Sequence, residues 1–165
     1  MFIFKVVAAL KNAKVNYAIV GGFAVALHGA VRGTVDVDLV IGLTKPDYLA
    51  TEEALKNLGL EPRLPVRAEQ IFDFHEEYRK NKNLVAWSFY NPQNPSEIVD
   101  IIITHDLKKM KTKKISAGKI TLNLLSIDSL ISMKKESGRP QDLEDIKALQ
   151  KLKIWDRFNF LLTNT

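Results

Sequence analysis

The segment Val35-Asp36-Val37-Asp38-Leu39-Val40-Ile41 constrains this chain most. Apolar residues at 35, 37, 39 and 41 alternate with Asp36, Asp38 and Val40, a period of two that predicts a strand. Residues i and i+2 of a strand share a face, so Asp36 and Asp38 are expected side by side. Two carboxylates about 4 Å apart at an effective dielectric near 20 repel by on the order of 4 kcal/mol. A cation must offset that repulsion. Mg²⁺ is an oxygen-seeking ion commonly held by one or two carboxylates together with phosphates. A strand end paired with Arg32 or a lysine would meet the same need, and the Asp-x-Asp pattern alone does not choose between the two.

Two further features point the same way. Asn16 to Val20 reads as a short buried strand ending at Gly21-Gly22, and Phe23 to His28 as a helix opening after the glycines. Paired glycines let a backbone approach a ligand closely, and free N–H groups at a helix start favour an anion such as phosphate. A plain tight turn explains the glycines as well. Asp100 lies in Ile98-Val99-Asp100-Ile101-Ile102-Ile103. A carboxylate between β-branched residues is expensive unless paired or metal-bound; a strand edge facing solvent is the alternative.

Residues 2–13 place Ile3, Val6, Val7 and Leu10 on one helical face. Thr44 caps a helix from Pro46 to Leu58, and Gly59 stops it. Pro62 and Pro65 break structure, and Gln70 to Phe74 reads as a short strand or loop. Leu84 to Tyr90 and Glu97 to Ile103 form an antiparallel hairpin across the turn-rich Asn91 to Ser96. Lys119 to Leu125 is a further strand. Ser126 or Asp128 caps a helix reaching about Glu136. A second runs from Pro140 to about Leu152, and a short one ends the chain.

The 165 residues fit one domain, with a core at about 14–125 and C-terminal helices at about 126–163. There are no cysteines, which excludes disulfides and thiolate metal sites and fits a cytoplasmic location. The longest uncharged stretch, Val15 to Val31, is shorter than the roughly 20 residues a membrane span needs. The apolar start carries Lys5 and reads as an amphipathic helix, not a secretion signal. The net charge of +5 permits a polyanionic partner without demanding one.

Val20-Gly21-Gly22, then thirteen residues, then Asp36-Val37-Asp38 resembles the signature of the nucleotidyltransferase superfamily, the DNA polymerase beta-like fold. Ala24-x-x-x-His28-Gly29 and Arg32-x-Thr34 resemble a prokaryotic subgroup that includes AbiEii-type toxins and small uncharacterised members. Lys134 followed by Ser137-Gly138-Arg139-Pro140-Gln141-Asp142-Leu143-Glu144-Asp145-Ile146 is similar to a C-terminal motif of that subgroup. Gly22 stands where many catalytic members carry serine.

The resemblance implies an α/β (α+β) fold: a small, mixed, mostly antiparallel sheet with flanking helices. It implies that Asp36, Asp38 and Asp100 are catalytic and hold two Mg²⁺ ions, with Mn²⁺ as a substitute. Gly21, Gly22, Arg32, Thr34 and Lys134 would bind the nucleotide. The reaction implied is transfer of an NMP from an NTP such as ATP to a hydroxyl of RNA (tRNA included), protein or a small molecule. The chain would then serve as the toxin or modifier of a two-gene toxin–antitoxin module, with a cognate partner subunit. Two other readings stand beside it. One is a catalytically silent binding module of the same fold. The other is an interaction subunit using Trp155, Phe158 and Leu162, which fall at helical spacing.

Of the remaining polar residues, Arg32 either reaches phosphate or neutralises the aspartates, and Lys134, a helical lysine beside Lys135, either contacts the triphosphate or lies on a solvated face. Arg139, Asp142 and Asp145 are expected to be structural, with Asp142 opening a helix and pairing with Arg139. His28 is expected to be buried and hydrogen-bonded, while His75 and His105 lack metal-ligand spacing. Lys108, Lys109, Lys111, Lys113 and Lys114 read as a solvated face, with RNA phosphates as the alternative partner. Phe72, Phe74, Trp87 and Tyr90 are expected in the core or a cleft wall.

Overall fold

The computed structural model describes residues 1–82 and 84–163, with side chains described as far as Trp155. Helix α1 (Phe2–Asn12) buries Ile3, Val6, Val7 and Leu10, the face that the periodicity marks. Strand β1 (Tyr17–Ile19), helix α2 (Gly21–Leu27), strand β2 (Val37–Ile41) and helix α3 (Lys45–Asn57) follow. Thr44 caps α3 by accepting the Asp47 N–H. Two boundaries differ from expectation. The glycine pair is the first part of α2 itself, and β2 begins at Val37, leaving Asp36 in a bend just before it.

Next come β3 (Glu61–Pro62), α4 (Ala68–Asp73), α5 (His75–Asn81), β4 (Ala86–Asn91) and β5 (Asn94–Ile102). The stretch Gln70 to Phe74, expected as strand or loop, is mostly helical. Its helix is started from a distance: the buried Glu52 carboxylate on α3 accepts the Ala68 N–H at 3.0 Å, and Gln70 accepts the Arg67 N–H at 3.0 Å. The β4–β5 hairpin is present but turns on Pro92-Gln93 alone, so β5 starts earlier than expected.

A 3₁₀ turn (Leu107–Lys109) leads into β6 (Thr112–Ala117), β7 (Ile120–Leu125), α6 (Ile127–Ser137) and α7 (Pro140–Thr163). Ser126 caps α6 by accepting the Ser129 N–H, and Gly138 ends it in the left-handed region at φ 65°. The region after Pro140 is one helix where two were expected. Strand β6 was not foreseen, because Lys113 and Lys114 read as a solvated run. Both are exposed on a strand at the sheet margin, where lysines deter pairing with another chain.

The seven strands form one sheet in the order β3-β4-β5-β2-β1-β7-β6. β2–β5 and β1–β7 are parallel and the other pairs antiparallel, the mixed, mostly antiparallel sheet expected. Alternation gives β2 and β5 two different faces. Val37, Leu39, Val99 and Ile101 are fully buried on one face. Trp87 and Phe89 are buried too, and the Tyr48 ring of α3 lies 6.1 Å from both Trp87 and the Phe72 ring of α4. Each large apolar side chain buried there contributes about 1.5–3 kcal/mol. The opposite face carries Asp38 and Asp100, and it is there that α6 and α7 leave a cleft. Among the described residues, no helix is long and apolar enough to cross a membrane.

Candidate active site

Because β2 and β5 are parallel neighbours, Asp38 stands directly opposite Asp100 in the ladder. Burial, then the charges of Asp100 and Asp36, push the Asp38 carboxyl up to about 6 against the opposing pull of Arg139 and Lys134. Asp100 Oδ1 is buried and has no hydrogen-bond partner. A buried carboxylate oxygen left without a donor is costly, and it is a place where a cation fits. Asp36 is half-buried and acts on Asp38 by its charge. Among the described residues, no three His, Asp or Glu side chains stand at metal-ligating spacing. The structure therefore brings Asp38 and Asp100 together as a pair, with Asp36 beside that pair, since the chain bends before the strand begins.

Gly21 has φ 60°, and a Cβ built there would lie 1.8 Å from Asp38 Oδ2. The glycine is what lets the Asp38 carboxylate seat against the β1–α2 corner. The corner is tied from the other side by Val20 N–H donating to the Asp38 carbonyl at 2.9 Å. Gly22 is buried, and a Cβ there would stand 2.7 Å from both Cβ and Oγ1 of Thr34. Thr34 thus fills the space that a side chain at position 22 would need.

The cleft measures about 670 Å³. Gly21, Asp38 and Asp100 line one side; Leu130, Lys134 and Arg139 from the α6–α7 junction line the other. Lys134 is not on a solvated face. Its side chain is 7 % exposed, and Nζ donates to Asp142 Oδ1 at 3.1 Å and Asp145 Oδ2 at 2.7 Å. The Arg32 guanidinium lies 3.3 Å from Asp145 Oδ1, so its carboxylate partner is Asp145 and not Asp36 or Asp38. Arg139 donates from Nε to Asp142 Oδ2 at 2.8 Å and from Nη2 to Oδ1 at 3.3 Å. Burial works to raise the Asp142 carboxyl, but hydrogen bonds from Arg139, Ser137 and Lys134 outweigh it and hold it well below the usual carboxylate range. The structural role expected of Arg139, Asp142 and Asp145 is present. The sequence reading missed that Arg139 also lines the cleft and feels the charge of Asp38. Its place between a left-handed glycine and the first proline of α7 was the available signal.

A second cavity of about 460 Å³ adjoins the first, and Thr104, His105, Met133 and Glu136 line both. His105 Nε2 donates to Glu136 Oε2 at 3.1 Å, and the Thr104 hydroxyl donates to Nδ1 at 2.8 Å. Thr104 and His105 lie in the bend just after β5 ends at Ile102, four and five residues past Asp100. His28 donates to the Leu125 carbonyl at 2.8 Å, the hydrogen-bonded role expected. Lys108, Lys109, Lys111, Lys113 and Lys114 lie in or beside the 3₁₀ turn and β6; none of them lines the cleft, and Lys109 lines the second cavity. Trp155 is exposed; Phe158 and Leu162 lie outside the described side chains.

No protein of curated function matches the sequence. Solved structures do match in fold. One is the lincosamide antibiotic adenylyltransferase LnuA, lincomycin-bound, 12% identical with a TM-score of 0.60 over 92% of this chain and 96% of that one. Another is ANT(2'')-Ia in complex with adenylyl-2''-tobramycin, 14% identical with a TM-score of 0.57 over 99% and 97%. A third is an antigenic nucleotidyltransferase-like protein from Paracoccidioides brasiliensis, 19% identical with a TM-score of 0.55 over 92% and 75%. A family model described as nucleotidyl transferase of unknown function (DUF2204) matches residues 2–163, and by that match across nearly its whole length the chain belongs to this nucleotidyltransferase family.

Proposed function

We propose that the protein is a Mg²⁺-dependent enzyme that transfers an NMP from an NTP to a hydroxyl acceptor and releases pyrophosphate. The observation that carries this reading is the Asp38–Asp100 pair: two facing carboxylates, one pushed up by burial and repulsion, the other with an orphaned buried oxygen. That donor set fits a hard divalent ion sharing its shell with phosphate oxygens and water. Asp38 and Asp100 would hold it, with Asp36 as the third carboxylate for a second ion. When bound, Mg²⁺ supplies charge neutralisation on the triphosphate and on the entering and leaving oxygens.

The remaining roles fall to this chain's own groups. Gly21 and Gly22 let the backbone approach the phosphates, Thr34 packs against Gly22 at that corner, and the α6–α7 junction with Lys134 and Arg139 forms the cationic side of the cleft. Asp100 accepts the proton of the attacking hydroxyl. Holding acceptor and α-phosphate in line accounts for most of the rate. The acceptor is a small molecule seated in the adjoining cavity. That cavity is continuous with the cleft along Thr104 and His105. Two fold neighbours carry antibiotics or an adenylylated antibiotic in their structures, which supports the same acceptor class.

The test is incubation with each of four α-labelled NTPs, Mg²⁺ and a cell extract, then separation into RNA, protein and small molecules. Mg²⁺-dependent label in the small-molecule fraction, lost in Asp38→Asn and Asp100→Asn, is the expected result. Label in RNA or protein would move the acceptor elsewhere. No label in any fraction and no NTP binding by calorimetry would sink the enzyme reading.

A further inference from the structure

Resting on the nucleotidyltransferase reading, we infer that Arg139 is the residue that grips the triphosphate, and that Lys134 is a positioning residue that acts through Asp142 to aim it. The argument starts from donors. A lysine has three N–H donors. Lys134 spends two on Asp142 and Asp145, and its side chain is 7 % exposed. The third stays on an ammonium that the two carboxylates hold in place and neutralise, which leaves it little charge to offer a phosphate.

Arg139 is in the opposite condition. Its side chain is 73 % exposed and it lines the cleft. A guanidinium has five N–H donors. The Nε–Nη2 edge is occupied by Asp142, which takes one donor from each nitrogen. The Nη1–Nη2 edge is a second fork of two parallel N–H groups, the geometry that matches a phosphate bidentately. Arg139 also feels the charge of Asp38 across the cleft. An anion between the carboxylate pair and this fork would meet a cation on each side once the divalent ion is bound.

The aim is built in. Gly138 at φ 65° and Pro140 at the start of α7 hold the backbone on both sides of Arg139. The Arg139 N–H donates to Asp142 Oδ2 at 3.3 Å. Asp142 is 1 % exposed and clamped by Lys134. Arg32 is no substitute: its Nε side faces Asp145 and its Nη1 donates to the Gly33 carbonyl.

The experiment is calorimetric titration of the full chain with Mg²⁺ and inorganic tripolyphosphate, each Mg·NTP, and adenosine. Wild type binds tripolyphosphate and at least one NTP. Arg139→Ala weakens both by roughly 10- to 100-fold, as expected for losing charge-assisted hydrogen bonds, and Arg139→Lys recovers only part. Lys134→Met also weakens them, but adds little on top of Arg139→Ala, the coupling expected of a relay. Asp142→Asn, which keeps the shape, takes its place if melting shows Lys134→Met to be unfolded. Unchanged tripolyphosphate affinity in Arg139→Ala overturns the inference and leaves the enzyme reading standing. Additive effects of the 134 (or 142) and 139 changes overturn the positioning role. Wild type that binds none of the probes overturns the reading and the inference together.

Discussion

Asp38 and Asp100 occupy the same register position of two parallel neighbouring strands, so backbone pairing sets the two residues side by side on one face of the sheet. The folded Asp38 carboxyl titrates at about 6, above its ordinary 3.8. Between those values the folded state keeps a proton that the unfolded chain has lost, so stability falls as pH rises and the loss is complete above about 6. In metal-free protein, denaturant melts from pH 4 to 7 should show this fall. Asp38→Asn should remove the slope and be more stable at pH 7 by up to about 3 kcal/mol. A difference between the two proteins that does not change over this range would contradict the raising of the Asp38 carboxyl by burial and neighbouring charge.

The same pair predicts a divalent-ion effect with the opposite pH trend. Metal bound only to the folded state stabilises by about 1.4 kcal/mol at ten times its Kd. Mg²⁺ or Mn²⁺ should raise the melting temperature of wild type above pH 6 and much less at pH 5, where Asp38 is protonated. Asp100→Asn should respond to neither. EDTA should reverse the shift.

Gly21→Ala tests the corner that seats Asp38. The new Cβ would lie 1.8 Å from Oδ2 in a left-handed backbone, so the carboxylate must move and the residue is strained. The expected cost is about 2 kcal/mol or more. The substitution should also weaken Mg·NTP binding beyond what the melting shift explains, because it displaces a carboxylate of the pair. Titration of the folded variant reads that second effect directly.

The carboxylates were legible because strand periodicity is local: Asp38 and Asp100 each stand among apolar strand residues, where a cation, an ion-pair partner or a solvent-facing edge must account for the charge. Asp36 was misplaced since no local signal marks where β2 begins. Helix α4 was missed because its start depends on Glu52, which lies 16 residues before the Ala68 N–H it caps. Strand β6 was missed because a sheet-margin strand shows solvent-side lysines instead of an apolar stripe. Lys134 reads as a surface lysine beside Lys135, and nothing short of the α6–α7 packing reveals its two buried partners. His105 and Glu136 meet across 31 residues, a pairing with no sequence signature.

Gly22 stands where many members of the superfamily carry serine, and Thr34 supplies the physical reason. A serine Cβ would sit 2.7 Å from Thr34 Oγ1. Gly22→Ser should therefore destabilise by about 1–3 kcal/mol, the range for overpacking. Adding Thr34→Gly should recover most of it, since the Cβ, hydroxyl and methyl that a side chain at 22 would meet are then all gone. A double-mutant cycle on melting free energies should give a favourable coupling of about 1 kcal/mol or more. If the two costs simply add, the residues do not compete for one space. NTP affinity in the same cycle would show whether a hydroxyl from either position serves equally well.

Lys134 should dominate the stability of the C-terminal helices. Removing one partner of a buried ion pair costs about 3–5 kcal/mol because the remaining charge is left uncompensated, and here two carboxylates share the lysine. Lys134→Ala should fall in that range at pH 7. In wild type the Asp142 carboxyl is held below its ordinary value of 3.8. Its contribution is therefore present above that pH and lost as pH falls through the lower folded value. In the variant the lysine's share of that hold is gone, so the buried carboxylates take up protons at higher pH. The deficit of Lys134→Ala should accordingly shrink as pH drops from about 6 towards 4, and Arg139→Ala, which removes another hydrogen bond holding the Asp142 carboxyl down but from a side chain largely in solvent, should show a smaller deficit that shrinks over the same range. Denaturant melts of both variants across that range decide it, and a pH-independent deficit for Lys134→Ala would mean that packing, not charge, is what the lysine provides.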